Sequence, residues 1–202
     1  MNALNALVAA AFAVVATPAF AQFSWDAVSG TCRDASGQQG LNVGVRGPCA
    51  DLRGTNLEGA NLSRLDLRGA RFDGAKLMGA SLLHSDLRGA SLENADLSRA
   101  VLSGAKLERA SLAGARLVSA HLEHAVLTSA TLSGADLRNA CLFRAGFEGA
   151  DLRTAQFSHS KAMVEGARWA HALVGVDTLP YDAQELAALE VHVHAAGELT
   201  SL

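Results

Sequence analysis

Three side chains within one stretch of this sequence have the chemistry of a transition-metal site: His121, His124 and Cys141. Imidazole nitrogen and thiolate sulfur are the donors that zinc and its neighbours prefer. His192 and His194 form a weaker pair, because residues two apart diverge on a helix. Cys32 and Cys49 flank a Gly-rich polar loop, and two cysteines so close read as a disulfide if the chain is exported. Closing that loop is worth about 3 kcal/mol in the chain-entropy model. Catalytic signatures are missing. There is no phosphate-cradling glycine loop, no G-x-S-x-G elbow and no H-E-x-x-H in the sequence. The plentiful Asp and Glu recur at regular outward positions, where they solvate and turn the chain. The expectation is a non-enzyme that needs no cofactor.

What positions these residues is a strict period of five. From Leu52 to Phe157 every fifth residue is Leu or Phe, giving 22 repeats, and Ala stands two residues earlier in 19 of them. Neither the helical period of 3.6 nor the strand period of 2 fits. A period of five requires an equivalent bend every five residues. Two residues apart on an extended stretch point to the same side, so Ala and Leu go inward together and the residue between them goes outward. Ten of the repeats end in Gly, which suits a turn with positive φ.

Composition agrees. Half of the 202 residues are hydrophobic, yet only 5% are aromatic. Ala and Leu account for 40 and 30 residues, so the interior is filled by small units used repeatedly. With 18% charged residues and a net charge of −3, the chain is neither a polybasic nucleic-acid binder nor a charge-rich disordered segment.

The motif A-(D/N)-L-x-x over residues 50–159 resembles the pentapeptide-repeat family. That resemblance implies an all-β solenoid, a right-handed quadrilateral β-helix of about 5.5 coils and roughly 26 Å length at the sheet spacing. It also implies stacking of residues 20 apart. The column Lys76, Asp96, Arg116, Asp136 then alternates in sign, Cys141 stacks above His121, and Ser85 sits above Leu65.

The flanks complete the plan. Residues 1–21 read as a signal peptide, with a short apolar run ending in Ala19-Phe20-Ala21. This places the protein in the periplasm or outside the cell, and the run is too short to span a membrane. Residues 22–49 form an N-terminal cap. Residues 160–202 hold a degenerate last repeat, with Trp169 in the Leu role, and a C-terminal helical cap. There Asp182 and Glu185 form a capping box, Leu186, Leu189, Val193 and Ala196 form the apolar stripe, and Gly197 is the stop. The cap covers an open core, or serves a homodimer contact of the kind some family members make.

Outward apolar residues mark a candidate partner patch. Leu83, Val101, Cys141 and Phe143 fall on one side, Met78 and Val118 on the adjoining one. The expected partner is a protein or glycan. The resemblance also raises DNA mimicry toward a type II topoisomerase, but the repeats carry 12 acids against 13 bases and the chain has an export signal.

Overall fold

The computed structural model describes residues 48–157 and 165–175 throughout, and outside these 24–26, 31–33, 42–43, 184, 188, 190 and 192–194. The signal-peptide segment lies outside the described residues. The unit of the fold is a two-residue extended step followed by a turn. In the repeat around Leu52, Asp51 pairs with the next coil, Arg53 and Gly54 turn, and the Thr55 N–H closes on the Leu52 carbonyl at 3.3 Å. All 21 turns from residue 54 to residue 154 put their fifth-position residue at positive φ. That fits a type II turn, whose third residue is left-handed. Ten of these residues are Gly and eleven are not, among them Arg64, Asn94 and Arg109. Glycine is therefore helpful at this position but not required. The ladder fixes the conformation and the side chain absorbs its cost.

Coils stack in parallel with a shift of 20 residues. Asp51 bridges Arg71, Arg71 bridges Ser91, and the same holds around the rod to His121 and Cys141. Four repeats therefore make one coil with four sides. Side A carries Asp51, Arg71 and Ser91 outward. Side B carries Lys76, Asp96 and Arg116, side C carries Ser81, Val101, His121 and Cys141, and side D carries Asp66, Asp86 and Lys106. The expected register holds. Lys76, Asp96, Arg116 and Asp136 form one column, and Leu65 lies directly below Ser85.

Inside, Leu and Ala of almost every repeat are fully buried in one continuous core. Ser85 replaces Ala there and stays satisfied, since its Oγ donates to the Leu82 carbonyl at 2.7 Å. Leu65, too large for the Ala position, is only half-buried and packs against the edge of the core.

Strands lengthen only at the ends. β1 (Ser24–Asp26) and β2 (Thr31–Arg33) form an antiparallel pair. β3 (Asn42–Val43) adds in parallel to β4 (Ala50–Asp51), extending side A toward the N-terminus. At the other end β5 (Asp136–Leu137) pairs with β7 (Gln156–Phe157), and β6 (Asp151–Leu152) pairs with β8 (Leu173–Gly175). The spacing grows from 20 to 22 residues at Gly146–Arg168 and Asp151–Leu173, so the last coil accommodates two extra residues. Trp169 takes the Leu place as expected, and Val174 takes the next; both are buried. Trp169 stacks on Phe147 with ring centres 4.5 Å apart and meets Phe157 edge-on at 6.3 Å.

The C-terminal segment follows the expected helix only in its first part. Gln184 and Ala188 are helical, but Glu190 has φ 55° and His192–His194 form β9, parallel to β8. A left-handed residue ends an α-helix, and the open edge of β8 offers unpaired backbone groups that β9 satisfies. Val193 therefore belongs to a strand and not to a helical stripe. The helical spacing that separated His192 from His194 does not apply. Ala196 and Gly197 lie outside the described residues.

Candidate functional site

The sides are built by a recurring clip that periodicity alone does not reveal. In Asp51-Leu-Arg53, Asp66-Leu-Arg68, Asp86-Leu-Arg88, Asp136-Leu-Arg138 and Asp151-Leu-Arg153, the carboxylate accepts two bonds from the guanidinium, between 2.6 and 2.9 Å. Each also accepts the arginine's own backbone N–H, at 3.1 to 3.4 Å. The residues stand two apart on either side of an inward Leu, and the turn brings the arginine back over the aspartate. The signal in the sequence is the triplet D-L-R.

These clips set the charge state of the carboxylates. The arginine bonds hold Asp51, Asp66 and Asp136 below the ordinary aspartate range against a smaller effect of burial. At Asp86 and Asp151 burial is the largest single influence and pushes upward, but the combined hydrogen bonds outweigh it. Asp66 and Asp86 are stacked like charges. Each is neutralised by its own arginine, and Arg68 also comes within 4.0 Å of Asp86. Serines tie further acids between coils: Ser111 Oγ donates to Glu93 at 2.9 Å and Ser133 Oγ to Asp151 at 3.0 Å.

Side C gathers the chemically varied residues. Cys141 does stack on His121. The imidazole, however, turns to Glu123, with Nδ1 3.0 Å from Oε1, and Ser103 Oγ donates to the other oxygen of Glu123 at 2.6 Å. Burial pushes Glu123 upward, but the bonds from Ser103, His121 and the Cys141 thiol prevail and hold it at about 2. Burial raises Cys141 above the usual thiol range, which disfavours the thiolate a metal needs. His124 faces away, edge-on to Phe143 at 5.8 Å. His121, His124 and Cys141 therefore do not converge, and among the described residues no three His, Cys, Asp or Glu side chains gather as a metal site.

The apolar residues are also divided. Leu83 and Phe143 lie in one row of side C, but Ser103 and Glu123 stand between them. Leu83 and Val101 form one half-buried group. Phe143 forms another, with His124 on one flank and the Arg144 guanidinium 4.9 Å above the ring centre. On side B, Met78 is 43% exposed, and Ser98 separates it from half-buried Val118. Cys141 is a free thiol. Cys49 is fully buried, and the side chain of Cys32 lies outside the described residues. No helix among the described residues is long and apolar enough to cross a membrane.

Residues 49–83, 84–112 and 105–144 match the family described as pentapeptide repeats, in eight copies. No curated protein sequence matches the chain. Among solved structures, the pentapeptide repeat protein Rfr23 from the cyanobacterium Cyanothece 51142 is 27% identical. The match covers 65% of this chain and 91% of that one, with a TM-score of 0.40. A pentapeptide repeat protein from the Arabidopsis thaliana thylakoid lumen is 33% identical over 54% of this chain and 68% of its own, with a TM-score of 0.23. QnrB1, a plasmid-mediated fluoroquinolone resistance protein, is 16% identical over 72% and 80%, with a TM-score of 0.44. On its uninterrupted five-residue repeat, its 20-residue stacking and its match to the family model, the chain belongs to the pentapeptide-repeat family.

Proposed function

We propose that this protein is an exported, non-enzymatic module, a right-handed four-sided rod of about 5.5 coils that presents flat sides to a protein or glycan partner. The observation that carries the reading is the state of the side chains on those sides. Asp–Arg clips and Ser–acid bonds fix them in register along the ladder. A surface ordered in advance loses little conformational entropy on binding. Phe143, flanked by His124 and Arg144, is the aromatic anchor of that surface. Export is supported by residues 1–21 and by a proposed Cys32–Cys49 disulfide. Cys141 is the free thiol among the described residues, whereas Cys49 does not stand as one. The segment after Gly175 is proposed as the C-terminal cap, as a homodimer contact in the second instance.

Affinity capture from the envelope fraction of the native host, with wild type and Phe143→Asp, tests the surface. The expected result is a partner retained by wild type and lost by the variant. Identical profiles remove Phe143 as anchor. Mass spectrometry of alkylated, unreduced protein tests both remaining points: Gln22 as the first residue, and one alkylated cysteine out of three.

A further inference from the structure

The four corners of the rod are not equivalent. Between sides A and B the left-handed positions are mostly Gly, and between sides D and A they include Gly69, Gly89 and Gly149. The corner between sides C and D instead reads Arg64, His84, Gly104, His124, Arg144. Four of these five have a side chain at φ between 54° and 59°, where Gly is conformationally favoured. All four are exposed. Non-Gly residues hold this conformation at the other corners too, but only here are they two arginines and two histidines.

Charge pairing separates the corners from the sides. Every arginine on the flat sides among the described residues is ion-paired with a carboxylate. Arg64 and Arg144, like Arg99 and Arg109 at two other corners, are in no such pair among the described residues, but only this corner lines up two of them. The groups facing the corner leave its charge standing. On side D, Asp66 and Asp86 are held by Arg68 and Arg88, and Lys106 adds a cation. On side C, Glu123 is held by Ser103 and His121. Glu165, an exposed residue beside the Arg144 end, accepts the Arg144 N–H through its backbone carbonyl at 3.0 Å, and its charge offsets part of that end. Glycines make room for the basic groups: a Cβ on Gly104 would lie 2.2 Å from His84 Nδ1, and one on Gly166 3.1 Å from Arg144 Cγ.

We infer that the Arg64–His84–His124–Arg144 corner is a peripheral docking edge for an anionic phospholipid bilayer. A corner is convex, and four rungs of ladder make it a straight edge about 19 Å long. A straight convex edge touches a plane along its whole length, whereas a globular acidic partner would need a matching groove. Phe143, beside Arg144, supplies apolar contact at the headgroup boundary.

The test is sedimentation of the full chain with vesicles of equal parts phosphatidylglycerol and phosphatidylcholine, at low salt, against phosphatidylcholine alone. Binding to the anionic vesicles only, reversed by salt, is expected. Arg64→Gly combined with Arg144→Gly should weaken it by about fivefold per arginine. The same variant should keep its thermal midpoint or raise it, because Gly suits both positions. Arg99→Gly with Arg109→Gly, at other corners, should leave binding unchanged. Absent binding, equal binding to neutral vesicles, full retention by the first variant, or an equal loss in the control pair would each overturn the assignment. None of these outcomes depends on the Phe143 capture experiment.

Discussion

Asp86 grips Arg88 at two points, 2.8 Å from Nε and 2.6 Å from Nη2, while the same carboxylate accepts the Arg88 backbone N–H at 3.3 Å. The clip ties an outward side chain to the turn that follows it, and it recurs on three of the four sides. It joins the charge pattern of the sequence to the turn geometry that builds the rod.

The clips predict the acid limit of stability. A carboxyl whose pKa is lowered by folding stabilises the native state above its unfolded value, and that stability is lost as pH falls through the folded value. Asp51, Asp66, Asp86, Asp136 and Asp151 are all lowered, and Glu123 is lowered from 4.5 to about 2. The melting midpoint, followed by circular dichroism, is expected to be flat from pH 7 to about 5 and to fall steeply between about 4 and 2. Asp86→Asn should cost less than about 1 kcal/mol, because the pair is partly exposed. A midpoint that declines evenly from neutrality would contradict this account.

Turn conformation predicts opposite effects for two exchanges. A Cβ on Gly79, at φ 65°, meets nothing within 4 Å, so Gly79→Ala tests the left-handed backbone alone. It should destabilise by about 1 kcal/mol. Arg109→Gly, at φ 59°, should be neutral to stabilising by about 0.5 kcal/mol once the greater freedom of unfolded Gly is counted. Urea unfolding of both variants reads the difference. Equal stability of Gly79→Ala and wild type would show that the turn is not left-handed there.

Trp169 closes the C-terminal end of the core, fully buried and stacked on Phe147. Trp169→Ala should cost about 3–5 kcal/mol and loosen the last coil before the rest. Hydrogen exchange at the β6 and β8 amides should rise more than at the Leu87 or Leu92 amides. Uniform loss of protection along the rod would mean that the coils unfold as one unit.

Ser85 offers a contrasting case. Its hydroxyl bonds the Leu82 carbonyl, which already accepts the Ser85 N–H at 3.1 Å. Ser85→Ala restores the usual residue and leaves that carbonyl bonded, so stability should change by less than about 0.5 kcal/mol. Thermal denaturation checks it, and a loss of several times that size would show that the hydroxyl bond itself holds the coil.

Much of the architecture was legible because each repeat is a local object. Alternation of Ala and Leu depends only on side-chain size and direction within three residues, and the five-residue bend repeats it. The 20-residue register followed from the resemblance to the family, and Leu65 below Ser85 bears it out. The tertiary structure decided what depends on the neighbouring coil. It turned His121 to Glu123 instead of toward His124, because Ser103 from the coil below had already fixed that carboxylate. It placed polar residues between Leu83 and Phe143, and it held arginine and histidine in a backbone conformation that local preference assigns to Gly. It also made a strand of His192–His194, because the exposed edge of β8 outweighed the helical spacing at Val193. Inward positions are chosen by size, which the sequence states outright. Outward partners are chosen by distance across coils, and only the stacked chain supplies that distance.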